Sequence, residues 1–481
     1  PRYLDFERWW GGFYLMNREE IEWITQNLFV GNKLWKGGVS SGDGKVFDLR
    51  EIKSPIVLFA SMGDNITPPE QAFNWVADVY GSTDEIKARG QTIVGLVHEH
   101  IGHLGIFVSG GVARREHRQI VSVLESIEAL PPGLYGMKIT DGRGQDGALE
   151  FEVEFLERRL EDVVQQLNRF ERIDEQPFEA VAKVSEFNQR AYELFAQPTV
   201  QAVGSEAAGQ AMRALHPLRA ERWAVSDLNP WLWWLAPAAA AVKGERKATA
   251  GDQPFARAEK LGAALTSAAW NYYRDLRDAA SEAAFFQLYG NLFGLTLGDT
   301  ARKASATATA AKQRDAALVR EVLARIGEGG YAAALARTAH LLADRGRPLP
   351  LELFETKAEL MREYRELLPD IAPDQMRRIR GEQAVIVEYE PQRAIDSLPE
   401  LLADPADRRR YFALIDRVLA DPRFGAGAAE SRQRAEFAQL QGVLTPAPRA
   451  TVRAAARRRP APAAKRAAPR AATRRGARGA E

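Results

Sequence analysis

Two apolar runs of strand length, Pro55–Ala60 and Thr92–Val97, with a helical stretch between them, constrain this chain more than any other feature. The first is broken sharply by Gly63-Asp64-Asn65, so Asp64 is expected at the carboxyl end of a buried strand. Pro68 and Pro69 suit the first turn of a helix reaching about Tyr80, because proline has no N–H to leave unpaired there and its φ is already helical. The second run leads into Gly102-His103-Leu104-Gly105, where glycines let the backbone turn tightly. An acid and a histidine each follow a strand in this order.

Strand, Asp, helix, strand, His is the closing half of an α/β hydrolase, in which the acid and base of a triad follow the nucleophile along the chain. A nucleophile is then needed upstream of Asp64. The G-x-S-x-G match there, Gly38-Val39-Ser40-Ser41-Gly42, has neither an apolar strand before it nor a helix after it and reads as a surface turn. With Pro1 in place of an initiator methionine, the chain is expected to be the C-terminal part of a longer protein. On residues alone Asp64 stays divided between two roles: a turn or cap residue ahead of a Thr-Pro helix start, or a catalytic acid.

Arg8-Trp9-Trp10, Asn27 to Gly37 (NLFVGNKLWKG), Asp48-Leu49-Arg50-Glu51-Ile52, Gly63 to Pro69 (GDNITPP) and Gly102-His103-Leu104-Gly105 occur in that order. Together, over roughly Pro1 to Glu128, they resemble the C-terminal half of the polyhydroxyalkanoate synthase catalytic domain, closest to a synthase-like group with a long C-terminal extension. The resemblance implies an acyltransferase that polymerises 3-hydroxyacyl-CoA thioesters with a cysteine nucleophile, a histidine base and an aspartate. His103 is then the base, and Asp64 either orients the imidazolium or helps activate the incoming 3-hydroxyl. No cofactor is expected; acyl-CoA enters as substrate, and the surface of a polymer granule is a further expected partner. The chain departs from the family in having no cysteine at all, so residues 1–481 alone are expected to be inactive. An esterase or depolymerase on the same fold, and a non-catalytic scaffold, are the other readings.

At 481 residues, 46% hydrophobic and 27% charged, the chain can bury substantial cores in two or three domains. The most apolar stretch, Trp231 to Val242, is broken by Pro237 and falls short of the ~20 residues a bilayer demands. The first residues are not signal-like, and a cytoplasmic location is expected. A net charge of +1 conceals an asymmetry: Pro446 to Glu481 carries ten arginines and one lysine against one acid, leaving the body at −9. This Ala/Pro/Arg-rich tail is expected to stay disordered and reads first as a solvated, solubilising segment. Weak binding of nucleic acid or anionic surfaces through counterion release is the alternative, and no aromatics interleave with the arginines to stack on bases.

The expected domains are 1–130, the C-terminal part of an α/β-hydrolase; 131–445, a hairpin followed by mostly helical sequence; and 446–481, the tail. Within the first, Asn17 caps a helix with Ile21, Ile24, Leu28 and Phe29 on one face, and a helix from about Val112 to Ala129 presents Val121, Leu124 and Ile127. Pro131-Pro132-Gly133 ends it. Strict alternation of Leu149, Phe151, Val153 and Phe155, with turn residues from Asp141 to Gly147, predicts a hairpin with Leu134–Thr140. Trp231, Trp233, Trp234, Trp270, Tyr272 and Tyr273 read as core or helix-packing aromatics. Of the histidines, His98, His100 and His103 lie together, but the spacing is not that of H-E-x-x-H and no third ligand stands out, so no metal is expected. His117, His216 and His340 read as satisfied histidines of helical surroundings.

Overall fold

The computed structural model describes residues 5, 9, 16–29, 33–35, 37–40, 42–143, 149–169, 171–226, 228–246, 250–293, 313, 315–343, 348–423 and 428–444. The basic tail, Ser41 and the tip of the 141–147 turn from residue 144 on lie outside these. The fold is mixed α/β with an open mixed sheet. Its strands are β1 (Ile56–Ser61), β2 (Thr92–His98), β3 (Gly133–Arg143), β4 (Leu149–Arg158) and β5 (Leu349–Pro350), adjacent in that order. β1, β2 and β3 are parallel neighbours, while β3–β4 and β4–β5 are antiparallel pairs. The hairpin expected in a second domain therefore extends the sheet of the first, because Thr92 to Gly95 pair with Gly133 to Gly136. The sheet crosses the boundary expected at residue 130.

Helices cover both faces, which is why β2 reads as an unbroken apolar run rather than an alternation. On one face Val94, Leu96, Tyr135, Met137 and Phe155 pack against Val123, Ile127 and Leu130, at and beside α4 (Leu124–Ala129), and against Phe354 of α8 (Leu351–Glu363). On the other, Ile93 and Leu134 meet Val76, Val79 and Tyr80 of α2 (Pro69–Tyr80), Ile86 of α3 (Thr83–Ala88) and Leu160 of α5 (Leu160–Leu167). The helix expected from Val112 to Ala129 is interrupted. A wide turn spans Ala113–His117, and Val123 leaves helical geometry at φ −109°, ψ 17°. The interruption rotates the apolar face, so Val121 and Leu124 are exposed while Val123 and Ile127 are buried. Asn17 does cap α1 (Arg18–Ile24), exchanging hydrogen bonds with Glu20 in a capping box, but Ile21, Leu28 and Phe29 face solvent.

The helical extension behaves in two ways. Its C-terminal part docks on the sheet domain through α9 (Pro373–Tyr389), which crosses α3 at Gly381. Lys87 bridges Glu157 (2.8 Å) and Glu388 (3.1 Å), the Tyr389 hydroxyl donates to Asp84, and Arg380 donates to the Ala129 carbonyl. Behind α9 a second core gathers Tyr331 and Ala334 of α7 (Gly330–Leu342), Leu398, Leu402, Tyr411 of α10 (Pro405–Ala420) and Leu440 of α11 (Ala428–Leu444). Arg337 is wholly buried there and donates to neutral acceptors, Gln383 Oε1, Ser397 Oγ and the carbonyls of Ile326 and Ala394; burial pulls its pKa down to about 10. The preceding helices, from Pro177–Ala191 to α6 (Pro254–Phe285), bury only Ala180 among their described residues. Trp231, Trp233, Trp234, Trp270, Tyr272 and Tyr273 are consequently exposed, not core residues. Helical spacing supplies an apolar face, but no described element covers it.

Candidate acid–base site at the carboxyl ends of the parallel strands

Because β1 and β2 are parallel neighbours in register, with Ser61 beside His98, the loops leaving their carboxyl ends emerge side by side. Hydrogen bonds stitch these loops together. Met62 N–H donates to the His98 carbonyl (2.8 Å), and Ser61 Oγ donates to the Ile101 carbonyl (2.6 Å). Gly63 is required at this crossing, since a Cβ there would lie 2.6 Å from the His100 carbonyl carbon. The two residues singled out from sequence, Asp64 and His103, thus meet across loops 39 positions apart.

Asp64 is buried and its two oxygens receive four donors. Oδ1 accepts from the backbone N–H groups of Ile66 and Thr67, both at 2.9 Å, and Oδ2 accepts from the Thr67 hydroxyl at 2.7 Å and from His103 Nδ1 at 2.9 Å. Burial by itself would raise this carboxyl's pKa. The bonds from the Thr67 amide and hydroxyl, from His103 and from the Ile66 amide outweigh it and hold the value down to about 2. Capping and histidine binding, alternatives on sequence grounds, are therefore carried out together by opposite oxygens of one carboxylate.

The His103 Nδ1–H is shared between Asp64 Oδ2 and Thr67 Oγ1, 2.9 Å from each. Nε2 is the ring nitrogen left over, on a side chain that is 32% exposed while that of Asp64 is wholly covered. Thr67 went unrecognised in the sequence as part of this site. Its signal lay in the Asp-x-x-Thr spacing, which a simple turn would also show. Ser40 of the G-x-S-x-G match bridges to Val46 in a short antiparallel contact and is exposed, so it occupies no strand-to-helix elbow.

The other histidines are placed apart from this pair. His98 Nδ1 accepts from the His100 amide, and its Nε2 lies 3.7 Å from the buried Glu116 carboxylate. His100 projects into solvent beside Glu99. His117 stands edge-on to Phe59, and His340 Nε2 donates to the Arg380 carbonyl. Among the described residues no three His, Asp or Glu side chains are grouped so as to hold a metal ion, and no helix is long and apolar enough to cross a membrane.

Residues 1–326 match the family described as "Protein of unknown function (DUF3141)". The chain is 34% identical over 446 residues, 90% of its length, to a Rhizobium meliloti protein named "Uncharacterized protein in ackA 5'region". It spans 60% of that relative's length. No solved structure matches. The chain belongs to the DUF3141 family.

Proposed function

We propose that Asp64 and His103 are the acid and base of an acyl-transfer site on an α/β-hydrolase-type sheet, acting on 3-hydroxyacyl-CoA thioesters as the polyhydroxyalkanoate synthases that the chain resembles do. One observation carries this reading: a buried carboxylate holds His103 by Nδ1 at the carboxyl edge of parallel strands, leaving Nε2 on a part-exposed ring. In the proposed reaction Nε2 takes the proton of a thiol or hydroxyl as that nucleophile attacks the thioester carbonyl. It then returns the proton to the departing CoA sulfur. A 3-hydroxyl, deprotonated by the same nitrogen, next attacks the acyl-enzyme carbonyl; the bond to the enzyme nucleophile breaks, Nε2 returns the proton to that thiol or hydroxyl, and the new ester lengthens the product. Asp64 has four donors on its two oxygens and no exposed side-chain surface. This favours orientation of His103 over direct contact with a substrate hydroxyl.

The chain contains no cysteine, and Ser40 lacks the elbow geometry, so the reading requires a nucleophile from outside residues 1–481. Release of CoA from 3-hydroxybutyryl-CoA, followed with a thiol reagent, is expected from the natural polypeptide in which these residues occur and not from residues 1–481 alone. Polymeric product identifies a synthase, whereas free hydroxyacid would assign the same pair to a hydrolase. Turnover by residues 1–481 alone would place the nucleophile within them, and absence of CoA release from the natural polypeptide would sink the acyl-CoA reading.

A further inference from the structure

Helix α6 runs 32 residues, about 48 Å at 1.5 Å per residue, and buries none of them in the described chain. One stripe of its apolar and small residues keeps strict alternating spacings of three and four: Phe255, Ala258, Gly262, Leu265, Ala269, Tyr272, Leu276, Ala279, Ala283 and, one step past its end, Phe286, while others such as Leu261, Trp270 and Tyr273 lie off it. This is the repeat of about 3.5 residues that defines a two-stranded seam, and it persists over roughly four heptads. The large members lie in water, Phe255 being 85% exposed, Tyr272 70%, Leu265 64% and Leu276 57%. From Phe255 to Ala283 every member of this stripe is exposed among the described residues, and a stripe held in phase for this length and left open is a candidate interface.

The order of side-chain sizes identifies the partner of this stripe as a second copy of the same helix running the opposite way. Folded about the point between Trp270 and Asn271, four layers of the seam pair like with like, Phe255 with Phe286, Ala258 with Ala283, Gly262 with Ala279 and Leu265 with Leu276, while the central layers set the small Ala269 against the large Tyr272. Each match joins an a position to a d position, as antiparallel strands require. The Gly–Ala and Ala–Ala layers let the two backbones approach closely. Charge agrees. Arg257, Glu259 and Lys260 make the first half +1, and Arg274, Asp275, Arg277, Asp278 and Glu282 make the second half −1, so antiparallel copies lay opposite halves together. At the flanking positions Glu259 faces Ala280, Thr266 faces Tyr273, Leu261 faces Glu282 and Ala268 faces Asp275, and no like charges meet. We propose that α6 pairs with α6 of a second chain about a two-fold axis at Trp270 and Asn271. Such an isologous contact is self-complementary by construction, and it stands independently of the chemistry at Asp64 and His103.

Light scattering on the full chain is expected to give the mass of two chains. The Leu265→Glu/Leu276→Glu variant is expected to give the mass of one, with helical content by circular dichroism unchanged. Orientation is read by cross-linking, which is clean because the chain has no cysteine of its own. Ala258→Cys/Ala283→Cys is expected to form a disulfide-linked dimer on oxidation, and Ala258→Cys alone is not, since its two copies would sit roughly 37 Å apart along the axis. A monomeric wild-type chain, or a dimer untouched by the two glutamates, overturns the pairing. Efficient cross-linking through Ala258→Cys alone overturns its antiparallel sense.

Discussion

Asp64→Asn, introduced into the natural polypeptide, is expected to slow CoA release about ten-thousand-fold while leaving the protein folded; this is the size of loss seen when a triad aspartate becomes an amide. The asparagine oxygen can keep the Ile66 and Thr67 amide donors, so the turn is retained. The new NH2 group then faces His103 Nδ1 in place of an acceptor. A donor at that position selects the ring form whose Nδ1 is bare and whose Nε2 carries the proton, and such a ring cannot accept a proton from the nucleophile. Thiol release measured beside the circular dichroism spectrum separates this from unfolding. A folded variant with near wild-type turnover would show that Asp64 does no more than cap its turn.

Gly381→Ala is expected to lower the unfolding free energy by about 3 kcal/mol, at the upper end of the usual range for overpacking. The sign is instructive, because alanine in a helix interior is favoured over glycine by about 1 kcal/mol. Here its Cβ would fall 1.6 Å from the Lys87 carbonyl oxygen, which belongs to the backbone and cannot step aside. Helix α9 must then back away from α3, stretching the Lys87–Glu388 ion pair and the Tyr389–Asp84 hydrogen bond. The midpoint of denaturant unfolding reports the change. A variant as stable as the parent would mean that the helical extension does not press on the sheet domain at this crossing.

How far the fold could be read from sequence depended on whether the deciding interactions were local. β1, α2 and β2 were legible because two uninterrupted apolar runs, a proline pair and flanking glycines act within a few residues of themselves. Asp64 and His103 were legible for the same reason, each following a strand at a glycine-marked turn. Thr67 was not, because its contact with His103 exists only once Ser61 and His98 are in register on parallel strands. The β3–β4 hairpin announced itself by alternation. Its membership of the β1–β2 sheet did not, since the pairing of Thr92 with Gly133 is non-local. The rotated face at Val123 depended on a backbone break that propensity does not mark. The exposed tryptophans from Trp231 to Trp270 show the converse limit: aromaticity says that a surface gains from being covered, and only the packing says whether it is.

In the proposed site Asp64 fixes the His103 ring by Nδ1, so that Nε2 is left bare as a base. Long-range proton–nitrogen spectra of the imidazole in residues 1–481, recorded above the pH at which the ring is cationic, test it directly. The expected result is a proton on Nδ1 and none on Nε2, lost to the opposite form in Asp64→Asn. A wild-type ring with its proton on Nε2 would contradict the account, because the nitrogen assigned to catalysis would then have no lone pair to offer.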